Sequence, residues 1–206
     1  MTDHFALLDE PRRPWVDPEA LKQKFLARSA QVHPDRVHNA PAVERQAADR
    51  RYSELNGAYN CLREPKERLR HLLELERGAK PGDIQNVPPE TTDLFFETGR
   101  LCKEADGFLE EKARAGSPVL KAQLFERSQE CLGKLLAMQQ KINARRDELL
   151  AELKTMNPAW ESAANEPARR ETVPLPLERL EEIYRLLGYL GRWREQIQER
   201  SVRLSF

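Results

Sequence analysis

From Leu120 onward the chain places an apolar or small residue at Leu120, Leu124, Ser128, Cys131, Leu135, Met138, Ile142, Leu149 and Leu153, close to a three-four rhythm. Side chains three and four positions apart share one face of an α-helix, whereas a half-buried strand needs a period of two. The stripe therefore commits this stretch to one long amphipathic helix. The same rhythm recurs at Ala48, Tyr52, Leu55, Tyr59 and Leu62, and again at Leu180, Ile183, Leu187, Leu190 and Ile197. No alternating run competes with it. Charged residues make up 33% of the chain and apolar ones 39%, with only 9 Gly, which suits half-buried helices better than a strand-rich sandwich. The expected fold class is all-α.

Prolines and caps divide the pattern. A short apolar turn, Phe5 to Leu8, leads through a proline-containing connector to a helix capped by Asp17, with Pro18 at its first position, running to about Val32. Pro34 stops it, because proline disfavours the helical conformation in the preceding residue. Pro65 suits the first turn of a short helix carrying Leu69, Leu72, Leu73 and Leu75, and Gly78 ends it. The polar "RGAKPGDIQNVPPE" reads as a linker. A further helix, capped by Thr92 or Asp93, carries Leu94, Leu101, Ala105 and Phe108 and breaks at "AGSP". The four prolines of "MNPAWESAANEPARRETVPLP" are expected to interrupt the long helix, with Asn165 to Pro176 as a surface loop. A last helix runs from roughly Leu177 to Arg203. The expected organisation is a four-helix N-terminal unit over residues 1–76, a linker over 77–91 and an antiparallel three-helix bundle over 92–206.

Composition excludes several functions. Lys plus Arg and Asp plus Glu are both 34, so nothing in the overall charge draws the chain to nucleic acid or to an acidic membrane. Cys61, Cys102 and Cys131 are too far apart for a Cys-x-x-Cys pair and odd in number, which implies a reduced compartment. No apolar run could span a bilayer, and "MTDHFALLDEPRR" lacks the pattern of a secretory signal. The expectation is a cytoplasmic protein without cofactor or metal.

The stretch "AQVHPDRVHN" interrupts two helices with His33, Pro34 and Asp35. Four readings meet there. Turn chemistry alone explains a proline that stops a helix and an aspartate that bonds local amides. A metal site of His33, Asp35 and His38 lacks soft ligands and sits on a loop. An acid/base pair of His33 and Asp35 has no nucleophile or oxyanion site beside it, so no enzyme is expected. The fourth reading is a docking tip for an acidic partner, because Lys22, Lys24 and Arg28 line the preceding helix and Arg36 follows the turn.

"HFALLD", a helix, "HPDR", and a second helix ending in "LNGAYNCLREPKERLRHLL" resemble a J domain, the module with which co-chaperones stimulate ATP hydrolysis by seventy-kilodalton heat-shock chaperones. The resemblance covers residues 3 to about 75. It implies an antiparallel helical hairpin with two short helices, with His33, Pro34 and Asp35 as the signature tripeptide and Lys22, Lys24, Arg28 and Arg36 beside it at the chaperone. Val32 stands where J domains often carry tyrosine. Tyr59, Leu62 and Leu69 are assigned to core packing.

The junction "NGAYNCLREPKERLRHLLELERG", with "DLFFETGRL" and "NPAWESAA" further on, is similar to the J-protein co-chaperones of the HscB type, which serve iron-sulfur cluster assembly. That resemblance implies a C-terminal bundle that presents an iron-sulfur scaffold protein to the chaperone, the scaffold and not this chain holding the metal. The implied client face is Leu94, Phe95, Phe96, Glu97 and Arg100 on the first bundle helix with Leu186, Leu187 and Leu190 on the last. Gly99, Arg100 and Lys103 stand where an apolar residue and carboxylates are more usual, which would redirect partner choice; an adaptor for a client outside iron-sulfur assembly is the alternative. Adjacent residues point about 100 degrees apart on a helix, so Phe95 and Phe96 cannot both centre on one core stripe. Trp15, Trp160 and Trp193 are assigned to packing.

Overall fold

Each helix begins and ends where its local chemistry allows. The computed structural model describes residues 2–82, 89–165 and 174–205. Among these are seven α-helices and no strand: α1 (His4–Leu7), α2 (Pro18–Gln31), α3 (Ala42–Arg63), α4 (Pro65–Arg77), α5 (Thr92–Arg114), α6 (Pro118–Asn165) and α7 (Leu177–Ser205). Short 3-10 turns cover Pro34–Val37 and Pro89–Thr91. The chain divides into two compact units, residues 1–82 with 150–184, and residues 83–149 with 185–206. None of the helices among the described residues is long and apolar enough to cross a membrane.

In the first unit, the Asp17 carboxylate accepts from the Ala20 N–H (2.9 Å) and Pro18 opens α2. The ring of Phe25 stacks on Tyr59, with centroids 4.4 Å apart, and the ring of His33 meets Tyr52 at 5.1 Å. Rising numbers on α2 meet falling numbers on α3, so the two helices are antiparallel. Leu21, Ala58 and Leu62 close the seam between them. Leu69, Leu72 and Leu73 of α4 are fully buried, and α4 ends at Gly78, whose φ of 71° is the left-handed conformation that favours glycine.

Arg68 is buried, which is tolerable because its guanidinium donates to the Pro14 carbonyl (2.8 Å) and the Leu62 carbonyl (2.6 Å). Burial lowers its pKa to about 10, so it stays charged at neutral pH while it ties the connector before α2 to the end of α3. His71 is also buried, and its Nε2 accepts from the His4 N–H (3.1 Å). Burial, with His4 alongside, pushes His71 down to about 4, and burial lowers His4 as well. Both rings are neutral at pH 7.

The interruption expected at "MNPAWESAA" does not occur: α6 continues through Pro158 to Asn165. Proline there has no N–H for the Lys154 carbonyl and crowds it, which costs about 3 kcal/mol in a helix interior. Tertiary contacts in the same unit offset the cost. The Asn157 Oδ1 accepts from the Trp15 N–H (3.0 Å), and the Asn157 Nδ2 donates to the Trp15 carbonyl (2.9 Å). Trp160 is 3% exposed, and the Lys154 ammonium sits 4.7 Å from the centre of the Trp15 ring. Within the expected Asn165–Pro176 loop, residues 166–173 lie outside the described residues, as do 83–88 within the expected linker.

In the second unit, Glu97, Glu104 and Glu111 of α5 reach Lys141 (2.7 Å), Lys134 (2.8 Å) and Arg127 (2.7 Å) of α6. Equal steps in opposite directions make α5 and α6 antiparallel in one register. Asp106 reaches Arg200 (2.7 Å), and the Lys112 ammonium donates to the Leu204 carbonyl (3.2 Å), so α7 runs parallel to α5. Leu101, Ala105, Phe108, Leu135, Met138, Ile142 and Ile197 fill the interior. The N-cap of α5 is Thr91, not Thr92 or Asp93, and its side chain makes no capping bond; the preceding 3-10 turn supplies the entry instead.

Candidate functional site

Because proline follows it, His33 is extended (φ −61°, ψ 131°) and serves as the cap of the Pro34–Val37 turn, its Nδ1 accepting from the Asp35 N–H (3.3 Å). The ring stands edge-on to Tyr52, at 75° between planes. Asp35 has its side chain 89% exposed, with its nearest cation-capable neighbour, His33 Nδ1, 3.4 Å away. Arg36 turns back to donate to the Ala30 carbonyl (3.1 Å), satisfying an orphan carbonyl of α2, and its own N–H bonds the His33 carbonyl (3.0 Å). His38 Nδ1 is 2.9 Å from the Asp35 carbonyl, so it braces the turn and does not join His33 and Asp35 around a common centre. The tip is a hydrogen-bonded turn offering one imidazole and one exposed carboxylate.

The basic face of α2 is less free than its sequence implies. Lys22 is exposed, but the Lys24 ammonium donates to the Asp9 carbonyl (2.9 Å) and to the carboxylate of Glu10, and Arg28 lies 3.6 Å from the Asp9 carboxylate. Glu10 is buried and also holds Arg13 (2.7 Å). Asp9 reaches this position through a left-handed backbone (φ 54°), which aspartate tolerates better than most residues. Sequence reasoning passed over both acids, since nothing in "LLDEPRR" marks a turn that folds back onto α2.

On α5, Phe95 and Phe96 are 41% and 66% exposed and touch each other at 5.3 Å between centroids. Phe95 also approaches Trp193 at 6.1 Å. Leu94 is half-buried, Glu97 is taken up by Lys141, and the guanidinium of Arg100 lies 3.8 Å from Glu104. Leu186, Leu187 and Leu190 are 1%, 6% and 1% exposed, so they pack inside the bundle and present no free surface. Within the expected client face, the exposed apolar part is the phenylalanine pair, with Trp193 near Phe95. Cys102 and Cys131 are buried, and burial raises both thiols above the ordinary range.

No protein-family model matches the chain. Over 72 residues it is 44% identical to the co-chaperone protein HscB homolog of Bordetella pertussis, a stretch that is 35% of this chain and 42% of that protein. It is 37% identical over 92 residues to the HscB homolog of Paraburkholderia phymatum, 45% of this chain and 52% of that one. The chain therefore matches about half, or less, of the length of these curated relatives. Among solved structures, chaperone HscB from Vibrio cholerae superposes with a TM-score of 0.65 at 18% identity, covering 98% of this chain and 99% of that one. Human co-chaperone HscB superposes with a TM-score of 0.60 at 19% identity, covering 97% and 82%. Part of the chain is thus similar in sequence to curated HscB homologues, and nearly its whole length shares the all-α fold of these HscB structures.

Proposed function

We propose that this chain is a cytoplasmic, non-enzymatic J-domain co-chaperone of iron-sulfur cluster assembly. Residues 1–76 stimulate ATP hydrolysis by a seventy-kilodalton heat-shock chaperone, and the bundle of residues 92–206 presents an iron-sulfur scaffold protein to it. The observation that supports this reading is the tip between α2 and α3, where Pro34 and the bonds of Arg36 and His38 brace a turn that leaves the Asp35 carboxylate exposed beside the His33 ring. A carboxylate so placed suits a cationic group on the chaperone, where a charge-assisted bond is stronger than a neutral one. No bond is made or broken by the co-chaperone. It binds the hydrolysis-competent conformation of the chaperone better than the resting one, and each 1.4 kcal/mol of that difference is worth about tenfold in population.

The test is single-turnover ATP hydrolysis by the chaperone with the wild-type chain and with Asp35→Asn. Stimulation should vanish in the variant while its circular dichroism stays native; undiminished stimulation would sink the role given to the tip. The client half is tested by capture of an iron-sulfur scaffold protein, weakened by Phe95→Ala and by Phe96→Ala. If the scaffold does not bind, the positive charge of Arg100 and Lys103 favours the second reading, an adaptor for a different client.

A further inference from the structure

Three elements of the first unit converge away from the tip. His4 on α1, Cys61 on α3 and His71 on α4 each bring one ligand atom, an imidazole nitrogen or Sγ, and these atoms lie within 4.8 Å of one another. It is the one such group of three among the described residues. The His4 and His71 rings are 4.4 Å apart at 36°, too tilted for simple stacking. His4 Nδ1 is buried and has no hydrogen-bond partner among the described residues. A buried acceptor or donor left alone costs about 1–3 kcal/mol, so an unpaired imidazole nitrogen on a residue clustered with a thiol and a second imidazole needs an explanation. The Cys61 thiol has only a long contact to the Glu67 carbonyl, at 3.6 Å.

We propose that His4, Cys61 and His71 form a binding site for a divalent transition metal of the zinc class. Two imidazoles and a thiolate are borderline-to-soft donors, which favour Zn²⁺ or Co²⁺ over the oxygen-seeking Mg²⁺ or Ca²⁺. Bonds of about 2.0–2.3 Å in a tetrahedron set ligand atoms about 3.5 Å apart, so the cluster closes by about 1 Å on loading. His4 and Cys61 are both half-exposed, which gives the ion its way in, and on loading the ion takes over the His71 Nε2 lone pair that otherwise accepts from the His4 N–H. The Cys61 Sγ–H bond is broken on binding, its proton leaves to solvent and the thiolate pair enters the metal. Asp3 adds negative charge beside the histidines, and the positive charge of nearby Arg70 is taken up by Glu67 at 2.7 Å. Three protein donors leave a fourth position for water. The ion would clamp the start of the chain to the α3–α4 corner.

The probe is Co²⁺ added to the whole metal-free chain, followed by absorption, with Zn²⁺ as competitor. One Co²⁺ per chain should bind with a thiolate-to-metal band in the near ultraviolet, and Zn²⁺ should remove it. Cys61→Ser should lose the band, His4→Phe should weaken binding at least tenfold, and Cys102→Ser and Cys131→Ser should change neither. Zn²⁺ should also raise the melting temperature of wild type but not of Cys61→Ser, with both melting alike in chelator. Absence of a band in the wild type, or its persistence in Cys61→Ser, overturns the proposal. Neither readout involves the heat-shock chaperone, so the site and the co-chaperone reading stand or fall separately.

Discussion

Asn157 is the side chain whose removal most directly tests how α6 survives its internal proline. It is 7% exposed and bonds both backbone groups of Trp15, at 3.0 and 2.9 Å. Each such bond contributes about 0.5–1.5 kcal/mol net, and Asn157→Ala leaves the Trp15 N–H and carbonyl to find water or go unpaired, at about 1–3 kcal/mol each if they stay dry. Alanine returns up to about 0.7 kcal/mol through its better helix propensity. The expected loss is about 2–3 kcal/mol, a large part of the roughly 5–15 kcal/mol that holds a typical domain folded. The assay is urea unfolding followed by circular dichroism, with Asn143→Ala as control, an exposed asparagine on the same helix that should cost nothing. Amide exchange at Trp15 should accelerate in the variant. With Asn157→Asp, the ionised carboxylate accepts from the Trp15 N–H but repels the Trp15 carbonyl, whereas the protonated acid can donate to it. That variant's deficit should therefore shrink as pH falls. A loss for Asn157→Ala no greater than that of the control would refute the idea that this amide offsets Pro158.

Two further outcomes follow from the bundle. Lys134, hydrogen-bonded to Glu104, holds that carboxyl below its ordinary 4.5, so the pair's contribution is fully present above pH 4.5 and is lost as pH falls through the lower folded value; in Lys134→Ala, an NMR titration should show Glu104 moving back up. Burial raises the Cys102 and Cys131 thiols, so at pH 8 iodoacetamide should label both far more slowly in the folded chain than in urea, by mass spectrometry, and equal rates would contradict their placement.

The helices were legible because their apolar periods are long, and the tip because His33, Pro34 and Asp35 are contiguous. Phe95 and Phe96 were legible as a surface feature for a simple geometric reason, since neighbours on a helix cannot share one narrow face. What escaped depends on distant partners. Pro158 has the local chemistry of a helix stop, and only Trp15, 142 positions earlier along the chain than its partner Asn157, reveals why the helix continues. The burial of Leu186, Leu187 and Leu190 together reflects a wide interior stripe, which periodicity alone does not separate from a docking face. Lys24 looked free until the turn at Asp9 folded Glu10 beneath it. His4, Cys61 and His71 come from three separate elements, and no spacing rule joins them.

The three ion pairs between α5 and α6 carry one more implication. Their partners repeat every seven residues, yet an ideal straight helix drifts about 20° per seven residues from a constant direction. Over Glu97, Glu104 and Glu111 the drift would swing the last carboxylate about 40° away from its cation, but all three pairs close at 2.7 to 2.8 Å. Helices that keep such rungs in line wind about one another with a left-handed superhelical twist, crossing at about 20°. The charges on this surface thus encode a handedness as well as a register, and moving one rung by a single position would set that coil against its own ladder.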